Sequence, residues 1–271
     1  MENITRRFEI GNWIASGSFG KIYKGKDKKT KETIAIKIVP KSGCKKHEVV
    51  WQNEWNTLSR LSPHPNIVEV IQLESDEISL YYVFELMDED LFQTINRKDN
   101  EKAKLGDPLY YVKEIAKGIQ YMHKNGVTHR DIKPENILVK GTGPETKSIV
   151  KITDFGHSIF QLENITGFIG STFYVAREIL EKIPYNYTVD IWALGILYYE
   201  LITKFPPFYN DGSDNEVYKK IIANKVDYTL VPKQHANNIR RILQPSPILR
   251  PSLEEILSFD SEIKRSLEKV K

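Results

Sequence analysis

The apolar positions of this chain change their period near residue 90. Before it they alternate or run β-branched. "FEIGNWIASG", "KIYKGKDKK" and "ETIAIKIV" predict strands across residues 8–41, with "KDKKTKE" as a turn between two of them. Residues 47–61, "HEVVWQNEWNTLSRL", switch to helical spacing and place Val50, Trp51, Glu54, Trp55 and Leu58 near one face. "SPHPN" breaks that helix, and "IVEVIQLESDEISLYYVFELM" reads as a hairpin turning at Ser75 and Asp76.

Helical signals dominate the remainder. Asp107 is an N-cap followed by Pro108 at the first helical position, and the helix "LYYVKEIAKGIQYMHKNG" stops at Asn125-Gly126. "NILVK" and "IVKITDF" read as two short strands joined by "GTGPETKS". Residues 157–177 have no clear period, and a loop of that length in a compact domain is usually functional or mobile. Helices are expected at 188–203, 214–224, 234–243 and 252–268. The pattern predicts an α+β chain: a strand-rich lobe of about 85 residues and a helical lobe of about 180.

Composition narrows the partners. The chain has 271 residues and a formal net charge of +3, from 39 basic and 36 acidic residues. The lysines are scattered, with short clusters at 26–31 and 45–46, so no concentrated basic face for nucleic acid is expected. Cys44 is the only cysteine, which fits a reducing, intracellular setting in cytoplasm or nucleus. "MENITRRFEIGNW" lacks the apolar core of a secretory signal. The longest apolar run, 191–203, is too short to cross a bilayer and carries Glu200, so no membrane partner is expected. The N-x-S/T matches at Asn3, Asn164 and Asn186 then read as chance.

The chemistry is concentrated in "THRDIKPENIL", residues 128–138. Asp131 offers a base for an incoming hydroxyl, Lys133 a cation for a phosphate, and Asn136 a metal-ligating oxygen. "ITDFG" adds a second carboxylate, Asp154, after a strand. Phosphoryl transfer asks mainly for positioning and charge neutralisation, which this set supplies. "IASGSFGKI" lets backbone N–H groups near a triphosphate at Gly17 and Gly20, and a following strand, not a helix, disfavours a dinucleotide site. Lys37 ends the apolar strand "IAIK", and Glu54 on the next helix, amid Trp51, Trp55 and Leu58, is placed to pair with it. Each piece alone has an ordinary reading as a turn, an edge lysine or a helix surface; their order along one chain is what points to chemistry.

Taken together, "IASGSFGKI", "IAIK", "HRDIKPEN", "DFG", "VARE", "DIWALG" and Arg250 resemble a eukaryotic protein kinase over about residues 8–260. Asp-x-Lys-x-x-Asn at 131–136 is similar to the serine/threonine type. The resemblance implies a two-lobed kinase fold, with an N-lobe at 8–87, a C-lobe at 88–260 and a short tail at 261–271. It implies transfer of the γ-phosphate of ATP, held with Mg²⁺ or alternatively Mn²⁺, to a protein serine or threonine. Asp131 and Lys133 would be catalytic, and Asn136 and Asp154 would hold the metal. Nucleotide contacts would come from the loop Ile14, Ala15, Ser16, Gly17, Ser18, Phe19, Gly20, Lys21 and Ile22, and from Ala35, Lys37, Glu54 and Leu138. "VFELMDEDL" resembles the adenine hinge, with Phe84 as gatekeeper, the backbones of Glu85 and Met87 on adenine, and Asp90 near the ribose. The resemblance also implies that His129 and Phe155 stack with Leu58, that Asp190 braces the 128–136 loop, and that Glu178 pairs with Arg250.

Three departures stand out. Ala15 replaces the first loop glycine, His157 follows Asp-Phe-Gly, and Arg177 replaces the proline of Ala-Pro-Glu, which could loosen that segment or bring a cation near the peptide. Arg130 before the catalytic aspartate implies regulation by activation-loop phosphorylation, at Thr166 by an upstream kinase, with Ser171 contacting Asp131 and Lys133. Glu135 implies a preference for basic substrates, and Val175 lacks the arginine of proline-directed kinases. An ATP-binding scaffold without turnover and a small-molecule phosphotransferase of related fold remain as alternatives.

Overall fold

The computed structural model describes residues 2–16, 20–41, 45–97, 106–141 and 147–259. Five strands make one antiparallel sheet: β1 (Phe8–Ser16), β2 (Lys21–Asp27), β3 (Thr33–Pro40), β4 (Val70–Ser75) and β5 (Ser79–Glu85), in the order β1-β2-β3-β5-β4. Strand β3 is central and buried on both faces. Ile34 and Ile36 pack with Ile4, Phe8, Tyr81 and Val83 on one side, while Ala35 and Val39 join the main core on the other. That alternation follows from the two-residue period of a strand. The outer side is closed by α1 (Glu2–Arg7), which the sequence pattern did not suggest. It buries Ile4 and is tied down by Arg7, whose Nη2 lies 2.7 Å from Asp27 Oδ2. The inner side is closed by α2 (Lys45–Leu61), with Trp51 and Leu58 buried as its spacing predicts.

A second, three-stranded sheet floors the cleft below: β6 (Glu89–Asp90), β7 (Ile137–Lys140) and β8 (Ile149–Ile152). The short helix α3 (Leu91–Asn96) follows β6, capped by Asp90, which accepts from Gln93 N at 2.8 Å. Helix α4 (Pro108–Lys124) starts at the predicted Asp107 cap. At Gly118 an added Cβ would sit 2.9 Å from Asn66 O and 2.7 Å from Ile152 Cδ1, so glycine there lets α4 lie flush on the loop before β4 and on β8.

The long segment after β8 leads through α5 (Arg177–Leu180) into α6 (Thr188–Thr203), whose residues from Thr188 to Leu201 are buried. Such a helix, apolar on all sides, must sit in a core. Around it lie α7 (Asp214–Ala223), α8 (Lys233–Ile242) and α9 (Leu253–Leu257). Here the structure corrects an expectation. The helix expected over 252–268 ends at Leu257 within the described residues: Ser258 caps it, and Phe259 leaves the helical path and folds into the core. Residues 260–271, including the expected tail, lie outside the described residues, as do Gly17, Ser18, Phe19 and Cys44.

The segment around Arg177 is tied at two points. Arg177 opens α5 and its Nε lies 2.8 Å from Glu181 Oε1, one turn on. Behind it the Arg250 guanidinium meets Glu178 with both terminal nitrogens, at 2.6 and 2.8 Å.

Candidate active site

Between the two sheets lies a cleft of about 700 Å³, within the range of small-molecule and cofactor sites. Of the residues expected at the nucleotide, Ile14, Ala15, Ser16, Ile22, Ala35, Lys37, Glu54, Phe84, Glu85, Met87, Asp90 and Leu138 line it. So do Lys133, Asn136 and Asp154. Gly20 and Lys21 do not: Lys21 is exposed, and Gly20 abuts β3, where a Cβ would lie 2.4 Å from Ile38 O. Ala15 pairs opposite Ile22 within β1, an extended position that alanine adopts without strain. Pattern reading missed Lys24, Val68, Gln93 and Thr153, which also line the cleft. Only Thr153 carried a signal, as the residue before Asp154.

On the upper wall Lys37 projects from the middle of β3, not from the strand's end as expected, and lies 2.8 Å from both carboxylate oxygens of Glu54. Burial disfavours the Lys37 ammonium, yet Glu54, with Asp154 beyond it, outweighs burial and raises its pKa above the usual lysine value. Burial pushes the Glu54 carboxyl up, with Asp154 adding to it against the pull of Lys37.

The lower wall is the loop before β7. Asp190, from the first turn of α6, holds it by the backbone: Oδ2 accepts from His129 N at 2.9 Å and Oδ1 from Arg130 N at 2.8 Å. His123 Nε2 lies 2.8 Å from the same carboxylate. Burial works against charge on Asp190, but His123 and His129 prevail and keep its pKa below the usual range. The expected aromatic pair forms, His129 and Phe155 meeting edge to face with centroids 4.9 Å apart, and Leu58 is buried in the same core. Arg130 adopts φ 69°, a left-handed turn, and the next residue, Asp131, lies beside the cleft, bonded to Lys133 and Asn136, which line it.

Asp131 gathers three donors. Ser171 Oγ–H reaches Oδ1 at 2.9 Å, while Lys133 Nζ and Asn136 Nδ2 each lie 2.9 Å from Oδ2. Lys133 also donates to Ser171 Oγ at 2.8 Å, so the contact expected of Ser171 is present. Burial raises the Asp131 pKa, but Lys133 and then Ser171 overcome it, and the net shift is downward. Asn136 spends its amide nitrogen on Asp131, at 2.8 Å from the carbonyl oxygen and 2.9 Å from Oδ2.

Asp154 completes the set at φ 61°, again left-handed. Its Oδ1 is buried and has no hydrogen-bond partner. A buried carboxylate oxygen without a donor is costly unless a cation meets it. Among the described residues no group of three or more His, Cys, Asp or Glu could hold a metal ion. One carboxylate plus one amide oxygen suits a hard divalent cation that completes its shell with phosphate and water. The residues present therefore fit a metal-bound polyphosphate.

A cleft with a buried Lys–Glu pair above, and Asp131, Lys133, Asn136 and Asp154 below, has the groups that ATP-dependent phosphoryl transfer requires. The comparisons with known proteins carry this to the family. The protein kinase domain model matches residues 8–261. Human calcium/calmodulin-dependent protein kinase type 1B is 32% identical over 263 residues, covering 94% of this chain and 75% of that protein. Aurora kinase of Schizosaccharomyces pombe is 34% identical over 257 residues (92% and 70%), and serine/threonine-protein kinase DCLK1 of Rattus norvegicus 35% over 238 (87% and 53%). The chain belongs to the protein kinase family and is an ATP-dependent serine/threonine protein kinase. It uses ATP with a divalent metal, and its substrates are proteins. Among the described residues no helix is long and apolar enough to cross a membrane.

Proposed function

We propose the following division of labour for this kinase. ATP with Mg²⁺, for which Mn²⁺ can substitute, supplies an activated γ-phosphoryl group in the cleft. Asp131 accepts the proton of the substrate serine or threonine hydroxyl. Lys133 neutralises charge on the transferred group, and Ser171 fixes both side chains. Lys37, set by Glu54, aligns the phosphates; Asn136 and Asp154 hold the metal. Ile22, Ala35 and Leu138 sandwich the adenine, beside Phe84 and the backbones of Glu85 and Met87. Asp90 approaches the ribose with the oxygen left over from capping α3. The catalytic unit is residues 8–260, divided between lobes at 87/88.

The observation that carries this reading is the convergence of Lys133, Ser171 and Asn136 on the one Asp131 carboxylate, with the unpartnered Asp154 oxygen in the adjoining cleft. Lys133→Ala tests it. The expected fall in kcat is about 10²–10³-fold, the scale for removing one charge-stabilising group, with KM for ATP changed little. An unaltered kcat would take Lys133 out of the reaction.

Two regulatory and specificity readings accompany it. Thr166 is exposed and follows Ile165, whose backbone pairs with Tyr185; the Tyr185 hydroxyl lies 3.5 Å from Arg130 Nη1. A phosphate added to Thr166 by an upstream kinase would join that cluster through Arg130. Thr166→Ala that retains full activity, with no phosphate found there, would end this reading. Glu135 is exposed at the cleft mouth and favours a basic residue upstream of the acceptor. A peptide library rich in proline just after the acceptor, without upstream arginine, would contradict that. The setting is intracellular, in cytoplasm or nucleus, without nucleic-acid or membrane partners, in keeping with the lone cysteine and the scattered lysines.

A further inference from the structure

Strand β5 sends successive side chains to opposite faces of the sheet. Tyr81 and Val83 pack outward with Ile4 and Phe8, while Tyr82 and Phe84 point inward to the main core. The two inward rings are nearly parallel, with planes 6° apart and centroids 6.1 Å apart, an offset-stacked pair. Phe84 lines the cleft; Tyr82 lies behind it and does not. Tyr82 is also the cross-strand partner of Lys37, and its ring centroid lies 5.9 Å from the Lys37 ammonium nitrogen. That is within reach of the attraction between a cation and an aromatic face.

Packing alone does not ask for a hydroxyl at this depth. A buried phenol needs a partner, and Tyr82, 1% exposed, finds one in the backbone: its hydroxyl donates to Trp51 O at 2.8 Å. Burial, with Glu54 adding to it, pushes the Tyr82 pKa up, so the hydroxyl stays a donor. The bond pins the far end of the ring. We propose that Tyr82 is a positioning residue: anchored by its hydroxyl, its ring holds the Lys37 ammonium and the Phe84 ring in the orientations they present to the nucleotide. Lys37 then has two supports, the Glu54 carboxylate and the face of a fixed ring. Without the Trp51 contact the ring keeps its volume but loses the bond that sets its orientation.

The inference rests on Lys37 as the group that aligns the phosphates, so one arm of its test contains no nucleotide. In the full chain without ATP, acetylation of Lys37 by acetic anhydride is followed by mass spectrometry. The reagent takes the free amine, so its rate reports how firmly the ammonium is held. The parent is compared with Tyr82→Phe, Tyr82→Leu and Tyr81→Phe. The last loses a hydroxyl of the same strand that donates to Asp76 Oδ2 at 2.8 Å on the outer side. Tyr82→Phe should speed Lys37 acetylation about fivefold, the scale of one lost hydrogen bond. Tyr82→Leu, which removes the ring as well, should match or exceed that rate. In both, kcat/KM for ATP falls by about the same factor while KM for the protein substrate holds. Tyr81→Phe should leave acetylation and kcat/KM for ATP at parental values. Parental acetylation in Tyr82→Phe would overturn the proposal, as would an equal rise in Tyr81→Phe, which would mark general loosening of the sheet. Lys37→Met distinguishes the two levels: a parental kcat/KM for ATP there would remove the Lys37 assignment, whatever the acetylation rates show. Tyr82→Phe deletes a single oxygen, so it keeps the test open should Tyr82→Leu fold poorly.

Discussion

The Lys37 ammonium is chelated by Glu54, 2.8 Å from each carboxylate oxygen, although the two groups come from different elements and are almost wholly buried. A buried pair is weak evidence of stability, because desolvation offsets the attraction; breaking it is costly. Glu54→Ala strands a buried cation and should destabilise the fold by about 3–5 kcal/mol, read by urea denaturation. Lys37→Met lets Glu54 take up a proton, the direction in which burial already pushes it, so it should cost much less stability. Both should lower kcat/KM for ATP by about 10²-fold or more. Equal stability losses for the two variants would contradict this asymmetry.

Asn136 and Asp154 should separate from Lys37 by their metal dependence. Asn136→Ala and Asp154→Asn are expected to raise half-saturating magnesium at least about tenfold, the scale for loss of one ligand or its support. Lys37→Met should leave that midpoint near parental. A magnesium titration at saturating ATP checks it.

Glu200 gives a pH signature. It is buried in α6, where it accepts a hydrogen bond from the Tyr174 hydroxyl, and burial, reinforced by Glu135, lifts its pKa to about 7. A carboxyl with a raised folded pKa contributes stability that is complete below its unfolded pKa. That contribution is lost as pH rises through the folded value. The loss should fall between pH 4.5 and about 7. Glu200→Gln cannot titrate there. Its stability relative to the parent should therefore climb between pH 5 and pH 8, in denaturation curves taken at each pH. A pH-independent difference would refute the shift.

Arg250 and Glu178 tie the end of the activation segment to the helical core, with side chains 0% and 3% exposed. Arg250→Ala should cost about 3–5 kcal/mol by leaving the Glu178 carboxylate buried alone. Arg250→Lys should recover only part, since an ammonium cannot reproduce the two-point contact. Thermal and urea unfolding of both variants measure it.

Seven of the eight strands, α2, α4, α6 and the polar residues that the cleft brings together were legible because each carries a local signal: period, cap, or charge crowded against an apolar run; the two-residue β6 carries none. Helix α1 was not, because Ile4 packs on a sheet face that only the folded topology creates. The overextended helix at 252–268 fails for a similar reason, since Phe259 is drawn inward by tertiary packing and ends the pattern. Lys21, expected at the nucleotide from the loop's resemblance, is exposed on β2 while its neighbour Ile22 lines the cleft, as strand alternation requires.

The central claim is that Asp131 acts as the base beside the cleft that Asn136 and Asp154 line. Transfer of labelled γ-phosphate from ATP to a serine/threonine protein, measured for the parent and for Asp131→Asn, tests it most directly. The account expects the variant to stay folded, to keep nucleotide-dependent thermal stabilisation, and to lose about 10²–10⁴-fold in kcat. An Asp131→Asn enzyme that transfers phosphate at the parental rate would contradict it.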